Sequence, residues 1–430
     1  MTFTRALGNG SSMSEIGHKN ARINKDLISR LKEEYSMIRQ LLATTLLAAM
    51  TVTAAAEEIK VGIILGFTGP IESLTPGMAE GAEMAFKEAS DSGKLLGGKT
   101  VSSIRADSTC VDAAAATAAA ERLITADGVA AIMGADCSGV TTAIANNVAV
   151  SNGVVMVSPS ATSPALSTIE DNGFFFRTAP SDARQGQVLA EVVKARGISS
   201  VAVTYTNNDY GKGLAESFSG AYTAMGGTVE ATAAHEDGKA DYAAEVGALA
   251  ATGAKDLVVL GYLDQGGKGM IQASLDSGAF ERFIMADGMI GQSLPDAIGA
   301  DLNGSFGTLP GGDTEGAATF LELAKAAGGD GDGPYRGESY DAAALIVLAM
   351  QAANSADRGA IQSKIEMVAN APGEKIGPGE LAKGLTILAS GGDVDYVGAT
   401  NVELNDVGEV FGSYKEMEVK GGKFETIKIH

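Results

Sequence analysis

The feature that most constrains this chain is a rhythm. Short apolar runs ending in glycine or small polar residues alternate with segments of helical periodicity. The run IKVGIILG (59–66) is apolar but for Lys60 and stops at Gly66, as buried parallel strands do. Residues 76–90 follow with Met78, Ala82, Met84, Ala85 and Phe86 on one side and Pro76 placed for a first turn. The alternation continues through a strand at 100–107, a helix at 112–124, a strand at 129–134, a helix at 139–150 and a strand at 153–160. It pauses around FFFRTAPSD (174–182) and restarts with a strand at 199–207 and a helix at 210–226. A helix at 242–253, a strand at 256–262, a helix at 267–278 and a strand at 282–288 complete a second unit. Strands alternating with helices of this length imply a parallel sheet covered on both faces. The fold class is therefore α/β, with two doubly wound units in tandem. The last third reads as helices at 315–327, 338–354, 357–369 and 380–391, then β segments at 401–410, 413–422 and 423–429.

The first 56 residues differ in kind. From Met37 the sequence runs MIRQLLATTLLAAMTVTAAAEE, with one Arg, an apolar stretch and then Ala54-Ala55-Ala56 before Glu57. That is the layout of a cleavable signal peptide, 37–56, and the apolar stretch is too short to span a bilayer. Residues 1–36 read as an N-terminal extension outside the fold, and with no Cys at the cleavage site no lipid anchor is expected. The formal charge of the chain is −21, and 57–430 alone carries 25 basic and 49 acidic residues, or −24. Such a surface disfavours nucleic acid and anionic membranes, which reward clustered Lys and Arg. The expectation from these residues is an acidic, exported, soluble protein.

Only Cys110 and Cys137 are present, with 26 residues between them. In an exported chain an even pair favours a disulfide over a metal site or a catalytic thiol, with two free thiols as the alternative. Closure would stabilise by roughly 3 kcal/mol on the chain-entropy model.

Gly93-x-x-x-x-Gly98-Lys99-Thr100 formally matches a phosphate-cradling P-loop. It follows a helix and leads into a strand, the reverse of the order that chemistry needs, so its amides would sit at the negative end of a helix. A helix stop and tight turn explain the glycines better. His235 is the one candidate catalytic or metal-binding histidine, since His430 ends the chain. That leaves no support for a His-based triad or a zinc site. GDGDG (329–333) begins like a calcium loop, but Pro334 interrupts it and no Glu closes it. No cofactor, metal or catalytic residue is expected.

Polar residues do recur just after strand C-termini, where open α/β sheets bind ligands. Asp136, Cys137 and Ser138 follow 129–134; Ser160, Ala161 and Thr162 follow 153–158. Asp209, Tyr210 and Gly211 follow 199–205, Tyr262 ends 256–262, and Asp287 ends 282–286. Each alone is more often a cap or loop residue. Their recurrence on the same edge of two sheets points to a shared ligand site.

Together with IKVGIILGFTGP, GAEMAFKEAS, RADSTCVD, MGADCSG, VSPSATSP, FRTAPSD, NDYGKGLAESF and SYDAAALIVLA, in that order, the chain resembles periplasmic solute-binding proteins of ABC importers. The resemblance is to the branched-chain amino-acid (Leu/Ile/Val)-binding type and covers 57–430. It implies two Rossmann-like lobes, 57–178 with 310–409 and 179–309 with 410–430, joined by three hinge crossovers and closing over a ligand. It implies a monomeric, extracytoplasmic protein of the periplasm, not an enzyme, that captures a small amino acid and delivers it to an inner-membrane permease with separate ATPase subunits. The alternative is a ligand-sensing protein for an amide or small carboxylate that signals to a membrane receptor.

Carried onto this sequence, the resemblance assigns Ser138, Ser160, Ala161 and Thr162 to the ligand carboxylate. Asp287, Tyr210 and Tyr262 go to its ammonium, since a buried cation requires a counter-charge. Asp136, Leu74 and Tyr335 go to the side-chain pocket. Cys110 and Cys137 match the family's disulfide, which would brace the loop bearing Ser138. Asp136 stands where leucine-type relatives have an apolar residue, Leu74 replaces an aromatic one, and Asp287 is shorter than their Glu. These departures open side-chain preference to a polar or cationic ligand.

Overall fold

In the computed structural model, β1 (Glu58–Leu65) is buried at every residue from Val61 to Leu65, which fits a strand with neighbours on both sides. The structure describes residues 24, 25, 27–37, 57–329 and 333–430. β1 lies between β2 (Thr100–Asp107) and β3 (Ile132–Gly134), and β4 (Met156–Ser158) and β5 (Phe175–Arg177) complete a parallel sheet of order β2-β1-β3-β4-β5. The second sheet is built from β6 (Ser200–Thr206), β7 (Thr228–His235), β8 (Asp256–Leu260), β9 (Arg282–Met285) and β10 (Phe306–Pro310), all parallel. A parallel pair, β11 (Glu374–Ile376) with β12 (Val394–Tyr396), stands apart. The antiparallel hairpin β13 (Tyr414–Lys420) and β14 (Lys423–Ile429) finishes the second sheet in the order β14-β13-β10-β9-β8-β6-β7.

The chain passes between the sheets three times, at 178–181 after β5, at 311–314 after β10 and at 410–413 ahead of β13. After β10 it returns to the first sheet, where helix Arg336–Ala353 packs on helix Thr75–Asp91. The approach is close enough to require Gly81, since a Cβ there would lie 2.3 Å from the Arg336 carbonyl oxygen. Arg177, buried at the end of β5, holds the first and third passages together. Its guanidinium donates to the Ala161 carbonyl at 3.0 Å and the Ser163 carbonyl at 2.9 Å, and pairs with Glu409. Buried, with two guanidinium nitrogens on one Glu409 oxygen, such a pair orients the crossovers more than it stabilises them.

The segment Met1–Ala55 is a unit separate from Ala56–His430. Of the expected extension and leader, residues 1–23, 26 and 38–56 lie outside the described residues; 24, 25 and 27–37 are helical and exposed. Positions 330–332 of the GDGDG turn also lie outside them. No described helix is long and apolar enough to cross a membrane.

SGKLLGGKT is a turn. Helix Thr75–Asp91 ends at Ser92; Gly93, Gly97 and Gly98 take positive φ of 61°, 77° and 105°, and Thr100 opens β2. Leu95 plugs into the core and its carbonyl accepts from Lys99 N–H at 2.8 Å.

Some elements depart from expectation. The expected β segment 401–410 is a turn, with only the isolated bridges Leu404–Val410 and Arg177–Glu409. The Asn405 side chain accepts from Val407 and Glu409 N–H, offering the backbone an alternative to a ladder. The helix expected over 357–369 breaks into Arg358–Gln362 and Ile365–Ala369. β7, β10, β11 and β12 were not anticipated. The β7 sequence TVEATAAH is an edge strand with alternating exposure and few large apolar residues, and β10 contains Gly307 and Pro310.

Candidate functional site

The first sheet delivers its polar residues at the C-terminal ends of β1, β3 and β4. Cys110, beyond β2, is disulfide-bonded to Cys137, beyond β3, and so ties two loops of the site. Asp136 is buried between them. Its carboxylate accepts from Gly66 N–H at 2.6 Å and from the Ser108 hydroxyl at 3.0 Å. Burial pushes this carboxyl up from its ordinary range, and those hydrogen bonds pull it back. The Ser138 hydroxyl accepts from Ser163 N–H at 3.0 Å, and Ser160 donates to the Asp136 carbonyl at 3.1 Å. One organiser escaped the sequence reading: Ser158, buried at the end of β4, donates to the Ala135 carbonyl and accepts from Ala161 N–H.

The second sheet delivers Tyr210, Tyr262 and Asp287. Asn208 caps helix Asp209–Ala224 by accepting from Gly211 N–H at 3.1 Å, which fixes Tyr210 in the first turn. The Tyr210 and Tyr262 rings stack with centroids 5.1 Å apart. The Tyr210 hydroxyl donates to one Asp287 oxygen at 2.9 Å and accepts from Gly288 N–H at 3.1 Å. The other Asp287 oxygen accepts from the Tyr335 hydroxyl. Tyr335 precedes helix Arg336–Ala353 with φ of +59°, a left-handed conformation that few non-glycine residues adopt. Burial raises the Asp287 carboxyl, opposed by the Tyr335 and Tyr210 hydroxyls, the Gln185 amide and Gly288 N–H.

Behind Asp287 lies a second acid, Asp182 in FRTAPSD, which no pattern in the sequence marks as part of the site. Asp182 is 0% exposed, and its N–H donates to the Thr162 carbonyl at 2.8 Å. Neither carboxylate oxygen, nor the Thr162 hydroxyl, makes a hydrogen bond of good geometry. Burial and the Asp287 carboxylate push the Asp182 carboxyl well above its usual range, against the pull of the Thr162 hydroxyl and the Arg177 cation.

These groups meet in one cavity. It is lined by Leu74, Asp136, Ser138, Ser160, Tyr210, Tyr262, Asp287 and Tyr335, together with Ile71 and Met78, which the sequence reading had not assigned. Ala161 and Thr162 are buried and lie outside this lining, the Ala161 amide already serving Ser158. The cavity measures about 20 Å³, room for about one water. His235 stands elsewhere, at the end of β7 beside β6, with its Nδ1 2.8 Å from the Thr204 hydroxyl and its pKa lowered by burial to about 4. Among the described residues no cluster of three His, Cys, Asp or Glu side chains could hold a metal ion.

A seam shuts the cavity from both sides. Ser73 N–H donates to Asp264 at 2.9 Å, Asp264 N–H donates to the Pro70 carbonyl at 3.0 Å, and the Ser73 and Ser293 hydroxyls lie 3.1 Å apart. The Ser163 hydroxyl reaches the Asp209 carbonyl at 3.1 Å. Leu74 packs against Gly291, where a Cβ would come within 2.9 Å of its methyl group.

Residues 58–377 match the family model described as periplasmic binding protein. The leucine-specific-binding protein of Salmonella typhimurium is 26% identical over 343 residues, 79% of this chain and 91% of that protein. The branched-chain amino-acid substrate-binding protein LivJ of Streptococcus pneumoniae, solved with isoleucine, superposes with a TM-score of 0.71 at 22% identity, covering 87% of this chain and 99% of that one. A solute-binding protein of an ABC transporter from R. palustris, solved with 4-hydroxybenzoate, superposes at 0.67 with 20% identity, covering 87% and 97%.

Proposed function

We propose that this chain, which belongs to the periplasmic binding protein family, captures a small amino acid outside the cytoplasm and delivers it to a membrane permease. It is a binding protein rather than an enzyme, as its family and neighbours are. The observation that carries the reading is Asp287: a buried carboxylate on the cavity wall, its two oxygens oriented by Tyr210 and Tyr335, on a cavity that Ser138 and Ser160 also line. An α-ammonium supplies the counter-charge that such a carboxylate lacks, and serine hydroxyls suit an α-carboxylate. Tyr262 supports this pole by stacking on Tyr210. Ala161 and Thr162 shape the loop behind the serines.

Asp136, Leu74 and Tyr335 face the ligand's side chain. The Asp136 carboxylate is committed to Gly66 and Ser108, so it sets the loop as well as the polarity of the wall. A cavity of about 20 Å³ admits no amino acid without enlarging. Binding therefore requires the two halves, 57–178 with 310–409 and 179–309 with 410–430, to part about the three crossovers and to close again over the ligand. The protein is exported by cleavage of the 37–56 leader and acts as a monomer.

A thermal-shift panel of amino acids, amides and small carboxylates tests this reading. An amino acid at about a hundred times its Kd adds roughly 2.7 kcal/mol to stability. A response confined to amides or simple carboxylates, or no response at all, would overturn it.

A further inference from the structure

A second, larger cavity lies beyond Tyr335. It measures about 590 Å³, within the range of small-molecule sites, and Tyr335 forms part of the wall of both cavities. Its lining comes from both halves of the molecule. Leu309, Lys415, Met417 and Phe424 belong to the second sheet and its hairpin, while Phe320 and Glu338 belong to helices that follow the second crossover. The Pro310–Gly312 stretch of that crossover completes it.

Three charged groups stand in its mixed polar and apolar wall: Asp313, which is exposed, and Glu338 and Lys415, of opposite sign. Glu338 is 6% exposed, in the first turn of helix Arg336–Ala353. Burial raises its carboxyl to about 7; its own backbone N–H and the Lys415 ammonium pull it down, while Asp341 pushes it up. Lys415, near the start of β13, makes no salt bridge with Glu338, so the two charges face the cavity unpaired with each other. A buried acid and a separate base flanked by apolar surface complement a zwitterion with an apolar body.

We propose that this cavity is a second ligand site, taking an apolar α-amino acid with its ammonium on Glu338 and its carboxylate on Lys415. Because the lining spans both halves, an occupant touches both and favours the closed arrangement. Tyr335 couples the two sites, since its ring walls the second and its hydroxyl holds Asp287 in the first. Occupancy of either site therefore raises affinity at the other, by the same factor in both directions.

Isothermal titration of the full chain with L-phenylalanine tests this, using phenylacetate and phenethylamine as single-charge controls. The expected result is two equivalents of phenylalanine bound, with one lost in Asp287→Ala and the other weakened at least about tenfold in Glu338→Gln. Each control should bind the second site at least about tenfold more weakly than phenylalanine. Ala318→Trp, which fills the cavity from an exposed helix position, should remove the same equivalent without disturbing the core. A single equivalent abolished by Asp287→Ala would overturn this proposal and leave the first site standing. A single equivalent insensitive to Asp287→Ala but lost in Ala318→Trp would do the reverse. Phenylacetate binding as tightly as phenylalanine would overturn the zwitterion assignment.

Discussion

Tyr335 and Asp287 lie on opposite sides of the cleft, and the tyrosine hydroxyl donates to the carboxylate directly. The hydrogen bond runs from a helix packed on the first sheet to the end of a strand in the second. It belongs to the ammonium pole of the proposed ligand site and also links elements packed on the two sheets.

Tyr335→Phe keeps the ring and removes the donor. A hydrogen bond to a charged group contributes about 1.5–3 kcal/mol, so amino-acid affinity should fall by roughly 10- to 100-fold. Solution scattering should show a larger radius of gyration than for the unmodified protein. Unchanged affinity with unchanged scattering would mean that the bond does not help to hold the closed form.

Asp264→Ala cuts the seam without touching the cavity lining. It removes the acceptor for Ser73 N–H and for the Ser293 hydroxyl, at 2.9 and 2.8 Å. Stopped-flow measurements should show ligand dissociation faster by about tenfold, with a much smaller change in association. Equal dissociation rates in the two proteins would remove the seam from the closing mechanism.

Glu338 predicts how stability depends on pH. Its carboxyl rises from 4.5 to about 7, so between those values the native chain holds a proton that the unfolded chain has released. The stability this confers is complete below pH 4.5 and is lost as pH rises through about 7, a change of about 3 kcal/mol. Glu338→Gln should therefore gain on the unmodified protein as pH climbs from 5 to 8 in denaturant titrations. A constant difference over that range would contradict the shift.

The Cys110–Cys137 bond closes a loop with a sequence separation of 27. Replacing both by serine should lower unfolding free energy by roughly 3 kcal/mol. It should also weaken ligand binding, because Cys137 adjoins Ser138. Mass spectrometry of the untreated protein should find two protons fewer than after reduction; free thiols in the untreated protein would refute the pairing.

What the sequence made legible follows from what each signal depends on. β1 is legible from its apolar run, Val61 to Leu65, and Tyr210, Tyr262 and Asp287 from standing just after strands, where topology alone brings side chains to one edge. Asp182 gave no such signal. A serine followed by aspartate at a helix start reads as capping, and only the fold shows that this carboxylate is sealed beside Asp287. Ser158 looked like a strand residue, although its hydroxyl organises the Ala161 loop. The Asp136 carboxylate suggested a polar side-chain pocket. In the structure it is bound to Gly66 and Ser108, partners 70 and 28 residues away that no local pattern could supply. The second cavity was invisible for the same reason: Glu338 and Lys415 meet only because β13 joins the far sheet after the third crossover.

The seam of Ser73, Asp264 and Ser293 has a kinetic consequence. Its bonds join backbone and short side chains rather than long flexible ones, so they part together or not at all. On the proposed reading, a molecule bound behind this seam leaves when the seam parts, however loosely its own side chain is held. The residence time of any ligand is then set by the rate at which the seam breaks, and ligands of quite different affinity would share one slow exit.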